Sequence, residues 1–437
     1  MLPGSLALAD EAPKADALGL PGSVVGYVLI DADSGDVLAA RDPDRPFAPA
    51  STIKLLTAVG ALDVLGPKAR LATRLMVDGS VTGGTLRGDL ILEGRGDVEL
   101  DMDDLMAFVL AMRRAGIEDV AGRFLIDDDA FLRAPVIDER QPPDAPYNAG
   151  IGPLSLAFNR VTAIPEQGRW RTLPPLTERG PAWPIVIGLR PERARPLPVR
   201  DAGLHTARVL RRLAGDIGIT LPEPQRGTSL EAKEIVRAES KPVRALVQDM
   251  LLYSNNQLAE TLGLLASTRL GGAPVSLAGS AGALADHVAA TSGMDEAGLE
   301  LRNHSGLSSR SRATPAQLAA LLRFGLERFD LIELLPASGW SGSLEKRLAG
   351  GAAALRVWAK TGSLDFASAL AGYLLTGQGL LIFVIMVADE TERAAYDAMP
   401  IPTPAIRARA DRWEIEARAL QDSLVEGWLA EEGVRPD

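Results

Sequence analysis

The chain has 437 residues, 46% of them hydrophobic and 24% charged, a globular composition with room for two or three domains. Its formal net charge of −11 gives no sign of a general nucleic-acid or anionic-membrane surface, so an anionic substrate must be met by locally placed cations. The absence of Cys excludes disulfides, zinc–thiolate sites and cysteine nucleophiles, and the scattered His205, His287 and His304 offer little for a metal cluster or a Ser-His-Asp triad; no metal or cofactor is expected.

No apolar run reaches the ~20 residues that cross a bilayer, so no transmembrane segment is expected. Ala7-Leu8-Ala9 before Asp10 resembles the small-residue end of a secretory signal, although no basic stretch precedes it. We therefore expect an exported, periplasmic protein with a truncated signal.

Val24–Asp31 and Val37–Ala40 flank Asp33-Ser34-Gly35-Asp36 and read as two strands around a tight turn. Pro49-Ala50-Ser51 then runs directly into an apolar helical pattern that starts near Ser51. Between Ala72 and Leu100, short alternating apolar segments broken by Gly-rich turns point to a different, β-containing unit. Met102–Gly116 has helical spacing, Val120–Ile126 is a strand candidate, Arg140–Pro153 is a loop, and Pro174–Pro198 is Pro-dense. Ala207–Ile217 reads as an amphipathic helix and Gly227–Val236 as a polar connection. Helices are expected from Pro242 to Gly325. Leu355–Gly362, Ala369–Leu375 and Leu380–Val387 read as consecutive antiparallel strands, with Ala405–Glu432 a long amphipathic helix across them. The expectation is an α/β domain built from residues 1–67 and 236–437, an antiparallel sheet with flanking helices, interrupted by an insertion over 68–235.

Ser51 and Lys54 would lie one helical turn apart on one face, so the amine can reach the hydroxyl. A helix start also supplies free N–H groups and a partial positive charge for a developing oxyanion. With so little histidine, a lysine of lowered pKa is the physical substitute for the base. The same spacing recurs at Ser343 and Lys346, so the pair carries no weight alone. The order of three motifs does: Ser51-x-x-Lys54, Ser254-x-Asn256 and Lys360-Thr361-Gly362 follow one another as in penicillin-recognising serine enzymes. Ser343 has no Ser-x-Asn between it and Lys360. Gly362 would let a substrate backbone approach the strand closely.

With these motifs the chain resembles the low-molecular-mass class C penicillin-binding proteins, the type-4 D-alanyl-D-alanine carboxypeptidase/endopeptidases, from about Gly22 to Val387. Gly88-Asp89-Leu90 with Gly94-Arg95-Gly96-Asp97 is similar to that family's Gly-Asp-Leu and Gly-Gly-Gly-Asp segment, with Arg95 replacing a Gly. His304-Ser305-Gly306-Leu307-Ser308 resembles its Gly-Ser-Gly-Leu-Ser, and Ser254 to Glu260 fits its Ser-x-Asn-x-x-Ala-Glu. Leu335-Pro336 with Gly342-Ser343-Leu344 resembles a later loop. The separation of about 200 residues between Ser51 and Ser254 matches the place where that family carries its inserted domains.

The resemblance implies a serine β-lactamase/penicillin-binding transpeptidase-like fold and acyl transfer on peptidoglycan stem peptides, with β-lactam antibiotics as pseudo-substrates. Ser51 would attack a D-Ala-D-Xaa carbonyl, Lys54 would take its proton, and Ser254 would relay a proton to the leaving amine. Asn256 would hold the substrate amide and orient Lys54, while Lys360 and Thr361 would bind the terminal carboxylate. The N–H groups of Ser51 and Ser363 would form the oxyanion hole, and Asp144 and Tyr147 would contact the amino end of a diaminopimelate side chain. Two rivals remain: a β-lactamase, for which Glu300-x-x-Asn303 could supply a water-activating group, and a non-catalytic scaffold of the same fold.

Overall fold

The computed structural model describes residues 20–167, 169–177, 193–272, 274–399 and 401–431; Ala7-Leu8-Ala9 and part of the Pro174–Pro198 stretch lie outside them. In chain order the strands are β1 (Val24–Asp31), β2 (Val37–Arg41), β3 (Arg70–Thr82), β4 (Thr85–Gly94), β5 (Asp119–Val120), β6 (Phe124–Asp127), β7 (Arg160–Glu166), β8 (Arg169–Leu173), β9 (Arg195–Pro198), β10 (Pro224–Arg226), β11 (Lys233–Pro242), β12 (Val357–Leu364), β13 (Ala367–Leu375) and β14 (Leu380–Ala388). The α-helices are α1 (Lys54–Leu65), α2 (Met102–Arg114), α3 (Ala202–Asp216), α4 (Val243–Leu252), α5 (Asn256–Gly271), α6 (Leu277–Ser292), α7 (Pro315–Phe329), α8 (Glu390–Asp397) and α9 (Pro404–Glu431). The chain divides into two compact units, one holding residues to Val64, Val247–Asn255 and those from Ala278 on, the other Leu65–Leu246 with Asn256–Leu277.

In the first unit β12-β13-β14-β1-β2 form one antiparallel sheet, which joins the N-terminal hairpin to the three C-terminal strands. Its central strand, β14, is apolar throughout and buried from Leu381 to Ala388, because both of its faces are covered. On one face lies α9, whose Ile406, Ala410, Trp413, Ala417, Leu420 and Leu424 recur every three or four residues and pack on Tyr27, Leu29, Leu370, Phe383 and Ile385. Each large side chain so buried contributes about 1.5–3 kcal/mol, and Trp413→Ala would cost about 3–5 kcal/mol. On the other face is α7, opened by Pro315 and a reciprocal Thr314–Gln317 cap. The Tyr373 hydroxyl donates to its Leu322 carbonyl at 2.7 Å.

The second unit carries a mixed sheet of order β10-β6-β4-β3-β11, with β5 beside β4. Leu105, Phe108, Val109 and Met112 of α2 and Ala207, Leu210 and Ala214 of α3 pack on Leu75, Leu90, Leu92 and Phe124 of that sheet. A smaller sheet orders β8-β7-β9. The structure corrects the polar connection expected over Gly227–Val236: β11 begins at Lys233 and pairs antiparallel with β3. Lys233, Glu234, Arg237 and Glu239 disguised it, since a strand at a sheet edge keeps charges that a buried strand would not tolerate.

Candidate active site

Ser51 stands at the entrance of a helix that is apolar all round. Leu55, Leu56, Ala58, Val59, Ala61 and Leu62 of α1 are all buried, so the start of this helix is held from every side. The helix does not begin at Ser51, as its sequence suggested, but at Lys54. Ala50 adopts a left-handed φ of 47°, which costs roughly 1–2 kcal/mol for a residue with a Cβ, and starts a 3-10 turn over Ala50–Ile53. Both the Thr52 N–H, at 3.2 Å, and the Thr52 hydroxyl, at 2.6 Å, donate to the Pro49 carbonyl.

Lys54 is fully buried. Its Nζ donates to Ser51 Oγ at 2.8 Å and to the Ser305 carbonyl at 2.7 Å. An amine in this place can take the hydroxyl proton without moving, since the hydrogen bond already joins the two atoms. The Ser305 loop is itself built against the serine turn: Gly306 has φ 75°, and a Cβ there would meet the Ala50 carbonyl oxygen at 1.9 Å. Asn303 Oδ1 accepts from Gly306 N at 2.9 Å, the Thr57 hydroxyl donates to the His304 carbonyl at 2.8 Å, and His304 Nε2 meets Ser280 Oγ at 2.7 Å. Burial holds the His304 imidazole down to about 3, so it stays neutral. The sequence marked Ser305-Gly306 as a motif but not as the lysine's partner, because a backbone acceptor leaves no trace in residue identity.

The third motif lies on β12, an edge strand. Val357 and Ala359 point into the α9 core, so the two-residue repeat puts Lys360 and Gly362 on the opposite face. A Cβ at Gly362 would be 2.8 Å from the Pro49 carbonyl oxygen and 3.2 Å from Ser51 N, which identifies the surface this face meets. The Ala359 N–H donates outward to the Pro336 carbonyl at 3.1 Å, so by the same repeat the N–H groups of Thr361 and Ser363 also point off the free edge. The Ser51 nitrogen thus lies near Gly362, whose next residue, Ser363, carries one of these edge N–H groups. Lys360 is fully buried, its Nζ donates to the Thr361 carbonyl at 2.7 Å, and burial pulls its ammonium down to about 7.

Ser254 ends α4 in a left-handed conformation, φ 53°, usually given to glycine. The Asn255 N–H closes that turn on the Met250 carbonyl at 3.1 Å. Ser51, Lys54, Ser254, Lys360, Thr361, Gly362 and Ser363 belong to the first unit, whereas Asn256 opens α5 in the second. Within that second unit Asn256 meets one expected recognition residue: its Nδ2 donates to the Tyr147 carbonyl at 3.0 Å. Tyr147 is exposed, on a 3-10 turn over Pro146–Asn148, and its hydroxyl donates to Gln141 Oε1 at 3.1 Å. Asp144 is half-buried three residues before it. Glu300 lies on the surface, ion-paired with Arg302 at 3.3 Å and bridged to Arg312 through its backbone. Among the described residues no cluster suits a metal ion.

A family model described as D-Ala-D-Ala carboxypeptidase 3 (S13) matches residues 8–168 and 196–405. A D-alanyl-D-alanine carboxypeptidase of Actinomadura sp. (strain R39) is 28% identical over 425 residues, covering 84% of this chain and 78% of that protein. Penicillin-binding protein 4 of Haemophilus influenzae has the same fold, with a TM-score of 0.76 at 19% identity over 94% of this chain and 99% of that one; it has also been crystallised with a β-lactam. A predatory endopeptidase of Bdellovibrio bacteriovorus, acylated by penicillin G, aligns at a TM-score of 0.54 with 18% identity over 94% of this chain and 93% of that one. These likenesses bear out the penicillin-binding fold class expected from the motifs.

Proposed function

Because the chain belongs to the D-Ala-D-Ala carboxypeptidase 3 (S13) family of serine peptidases, we propose that it hydrolyses the D-Ala-D-Ala terminus of peptidoglycan stem peptides, and D-Ala-diaminopimelate cross-links, through an acyl-Ser51 intermediate. The observation that carries this is the buried Lys54 amine, 2.8 Å from Ser51 Oγ and anchored on the Ser305 carbonyl. As a neutral amine Lys54 takes the hydroxyl proton while Oγ attacks the carbonyl carbon. The resulting oxyanion is stabilised by the N–H groups of Ser51 and Ser363; one such donor is worth about 2.7–4 kcal/mol. Collapse breaks the C–N bond, the proton taken by Lys54 is relayed through the Ser254 hydroxyl to the departing amine, Lys54 is neutral again, and D-Ala leaves. Water then attacks the ester and Ser51 is restored.

Asn256 holds the substrate amide, and Lys360 with Thr361 binds the terminal carboxylate, which explains how a chain of net charge −11 accepts an anionic peptide end. The outward N–H groups of β12 suit an extended peptide added to its free edge. Asp144 and Tyr147 receive the amino end of the third stem residue. β-Lactams enter the same site, and a cell-wall substrate requires export to the periplasm or its equivalent. Among the described residues no helix is long and apolar enough to cross a membrane.

The test is intact-mass analysis after incubation with benzylpenicillin, for the protein and its Ser51→Ala variant, beside D-Ala release from a pentapeptide ending in D-Ala-D-Ala. A stable single adduct that disappears in Ser51→Ala, with D-Ala released, is the expected result. Hydrolysed drug without an adduct would mean a β-lactamase; intact drug and intact peptide would mean a scaffold.

A further inference from the structure

Four consecutive backbone carbonyls beside Asn256 are each held by a different side chain. Asn256 Nδ2 donates to the Tyr147 carbonyl at 3.0 Å, an Arg200 guanidinium nitrogen to Asn148 at 2.7 Å, Gln257 Nε2 to Ala149 at 3.1 Å, and Asn159 Nδ2 to Gly150 at 2.8 Å. Asn148, Ala149 and Gly150 are buried, so their carbonyls must find partners inside the fold. A row in which every oxygen is taken by a side chain has one register and one orientation.

The holders are themselves held. Arg200 also donates to the Pro135 carbonyl at 3.3 Å and the Pro143 carbonyl at 2.6 Å, so one planar fork ties both ends of the loop that carries Asp144 and Tyr147. Asn159 Nδ2 also lies 3.1 Å from Ser155 Oγ and 3.3 Å from Gln257 Oε1, so its two hydrogens are shared among three acceptors; Gln257 turns its oxygen toward this amide and its nitrogen toward Ala149. Asn159 reaches this place at a cost in strain. Ala157, Phe158 and Asn159 have successive φ values of 49°, 54° and 54°, a single left-handed turn made without glycine. Gly150 has no room for a side chain, since a Cβ there would lie 2.1 Å from the Arg200 carbonyl oxygen.

We propose that Arg200, Gln257 and Asn159 are positioning residues which, by fixing the Tyr147–Gly150 carbonyl row, set the orientation of the Asn256 carboxamide. The Tyr147 carbonyl accepts only from the nitrogen end of that amide, so it determines which way the oxygen points. Asn256 is thereby presented to substrate with its amide already turned, and the entropy of ordering it is met during folding and not during acylation. The effect on turnover rests on the reading of Asn256 as the residue that holds the substrate amide.

The experiment measures the second-order rate of benzylpenicillin acylation for the wild type, Gln257→Glu, Arg200→Lys and Asn256→Ala, and for Gln257→Glu combined with Asn256→Ala. Gln257→Glu keeps the shape but turns an oxygen on the Ala149 carbonyl, while Arg200→Lys keeps the charge but not the three-carbonyl fork. Each is expected to slow acylation about tenfold in the native background, with the circular dichroism of the wild type retained at the assay temperature. In the Asn256→Ala background Gln257→Glu is expected to change the rate less than twofold, because its effect travels through Asn256. An equal slowing in both backgrounds, or none in the first, would overturn the proposal. Hydrogen exchange of residues 143–151 in Arg200→Lys separates this from the proposed function. If the wild type takes no penicillin, acylation through Ser51 falls, and exchange no faster than wild type in that segment would still sink the positioning role.

Discussion

Gly362 leaves no room for a side chain against the backbone of Ser51. A Cβ on Gly362 would sit 2.8 Å from the Pro49 carbonyl oxygen and 3.2 Å from both Ala50 Cβ and the Ser51 nitrogen, so the strand packs closely on the nucleophile turn. Gly362→Val is expected to push β12 off the turn and spread the two oxyanion donors. The loss of one donor predicts a fall of about 10²–10³-fold in the acylation rate, with secondary structure unchanged. Stopped-flow acylation with a chromogenic cephalosporin, beside circular dichroism, checks it; a fully active Gly362→Val would remove the oxyanion assignment.

Lys54→Met removes the amine and keeps the apolar stem in its buried slot. General-base catalysis predicts a loss of about 10²–10⁴-fold in acylation, and the Ser305 carbonyl loses the donor it has at 2.7 Å. Loss of that donor to the buried Ser305 carbonyl is expected to cost about 1–3 kcal/mol of stability, while reactivity collapses. Intact-mass time courses give the rate and urea unfolding gives the stability. Comparable rates in the two proteins would mean that another group takes the Ser51 proton.

The parts of this site that were legible in the sequence are those whose chemistry is local. Ser51 and Lys54 are three residues apart, and Lys360 to Gly362 is a continuous run, so residue type and spacing suffice. The Ser305 carbonyl was not legible as a partner, because any residue carries one and Lys54 reaches it across 251 positions. The contact of Asn256 with Tyr147 spans 109 positions and also ends on a carbonyl. In the fold, β14 announced itself by an unbroken apolar run, whereas β11 hid behind the charges an edge strand keeps. The start of α1 shifted by three residues because Ala50 takes a left-handed conformation that no propensity scale assigns to alanine.

The proposed binding of the substrate carboxylate by Lys360 predicts a pH-dependent affinity. The Lys360 ammonium is pulled down to about 7 by burial, so it is charged below that pH and increasingly neutral above it. Affinity for a carboxylate partner is then present on the acid side and lost as pH rises through 7, while a bound carboxylate shifts the midpoint upward. KM for a peptide with a free C-terminal carboxylate is expected to climb up to about tenfold per pH unit above the midpoint, and KM for its C-terminal amide to stay flat. Parallel KM profiles for the two peptides would mean that Lys360 does not hold the carboxylate.

Asp97 is buried, and its Oδ1 accepts from Glu99 N at 3.0 Å. Desolvation raises its carboxyl from 3.8 to about 7. The folded state thus prefers the protonated acid. The stabilisation from that proton is complete below about pH 3.8, fades as pH rises, and is gone above about 7. At 1.36 kcal/mol per pH unit the gap corresponds to about 4 kcal/mol, of which local relaxation would leave roughly half. Asp97→Asn, which resembles the protonated form, is expected to match the native protein at pH 4 and exceed it by about 2 kcal/mol at pH 8 in urea unfolding. Equal stability at pH 8 would show that the carboxylate is accommodated in the folded state.

Asp144 and Tyr147 carry the proposed recognition of the third stem residue. Tyr147 is exposed, and its carbonyl meets Asn256, so the loop borders a residue of the proposed machinery without belonging to it. A carboxylate facing a free amine across partly exposed surface contributes about 1 kcal/mol, equivalent to about fivefold in affinity. Asp144→Ala is expected to raise KM about fivefold for stem peptides whose third residue carries a free side-chain amine, and to leave peptides with that amine acetylated unchanged. Tyr147→Ala removes only the ring and is expected to weaken both peptides alike, by the apolar area it covers. Penicillin has no such side chain, so its acylation of Ser51 should be the same in all three proteins. An Asp144→Ala variant with unaltered KM for both peptides would exclude the loop from recognition of the third residue.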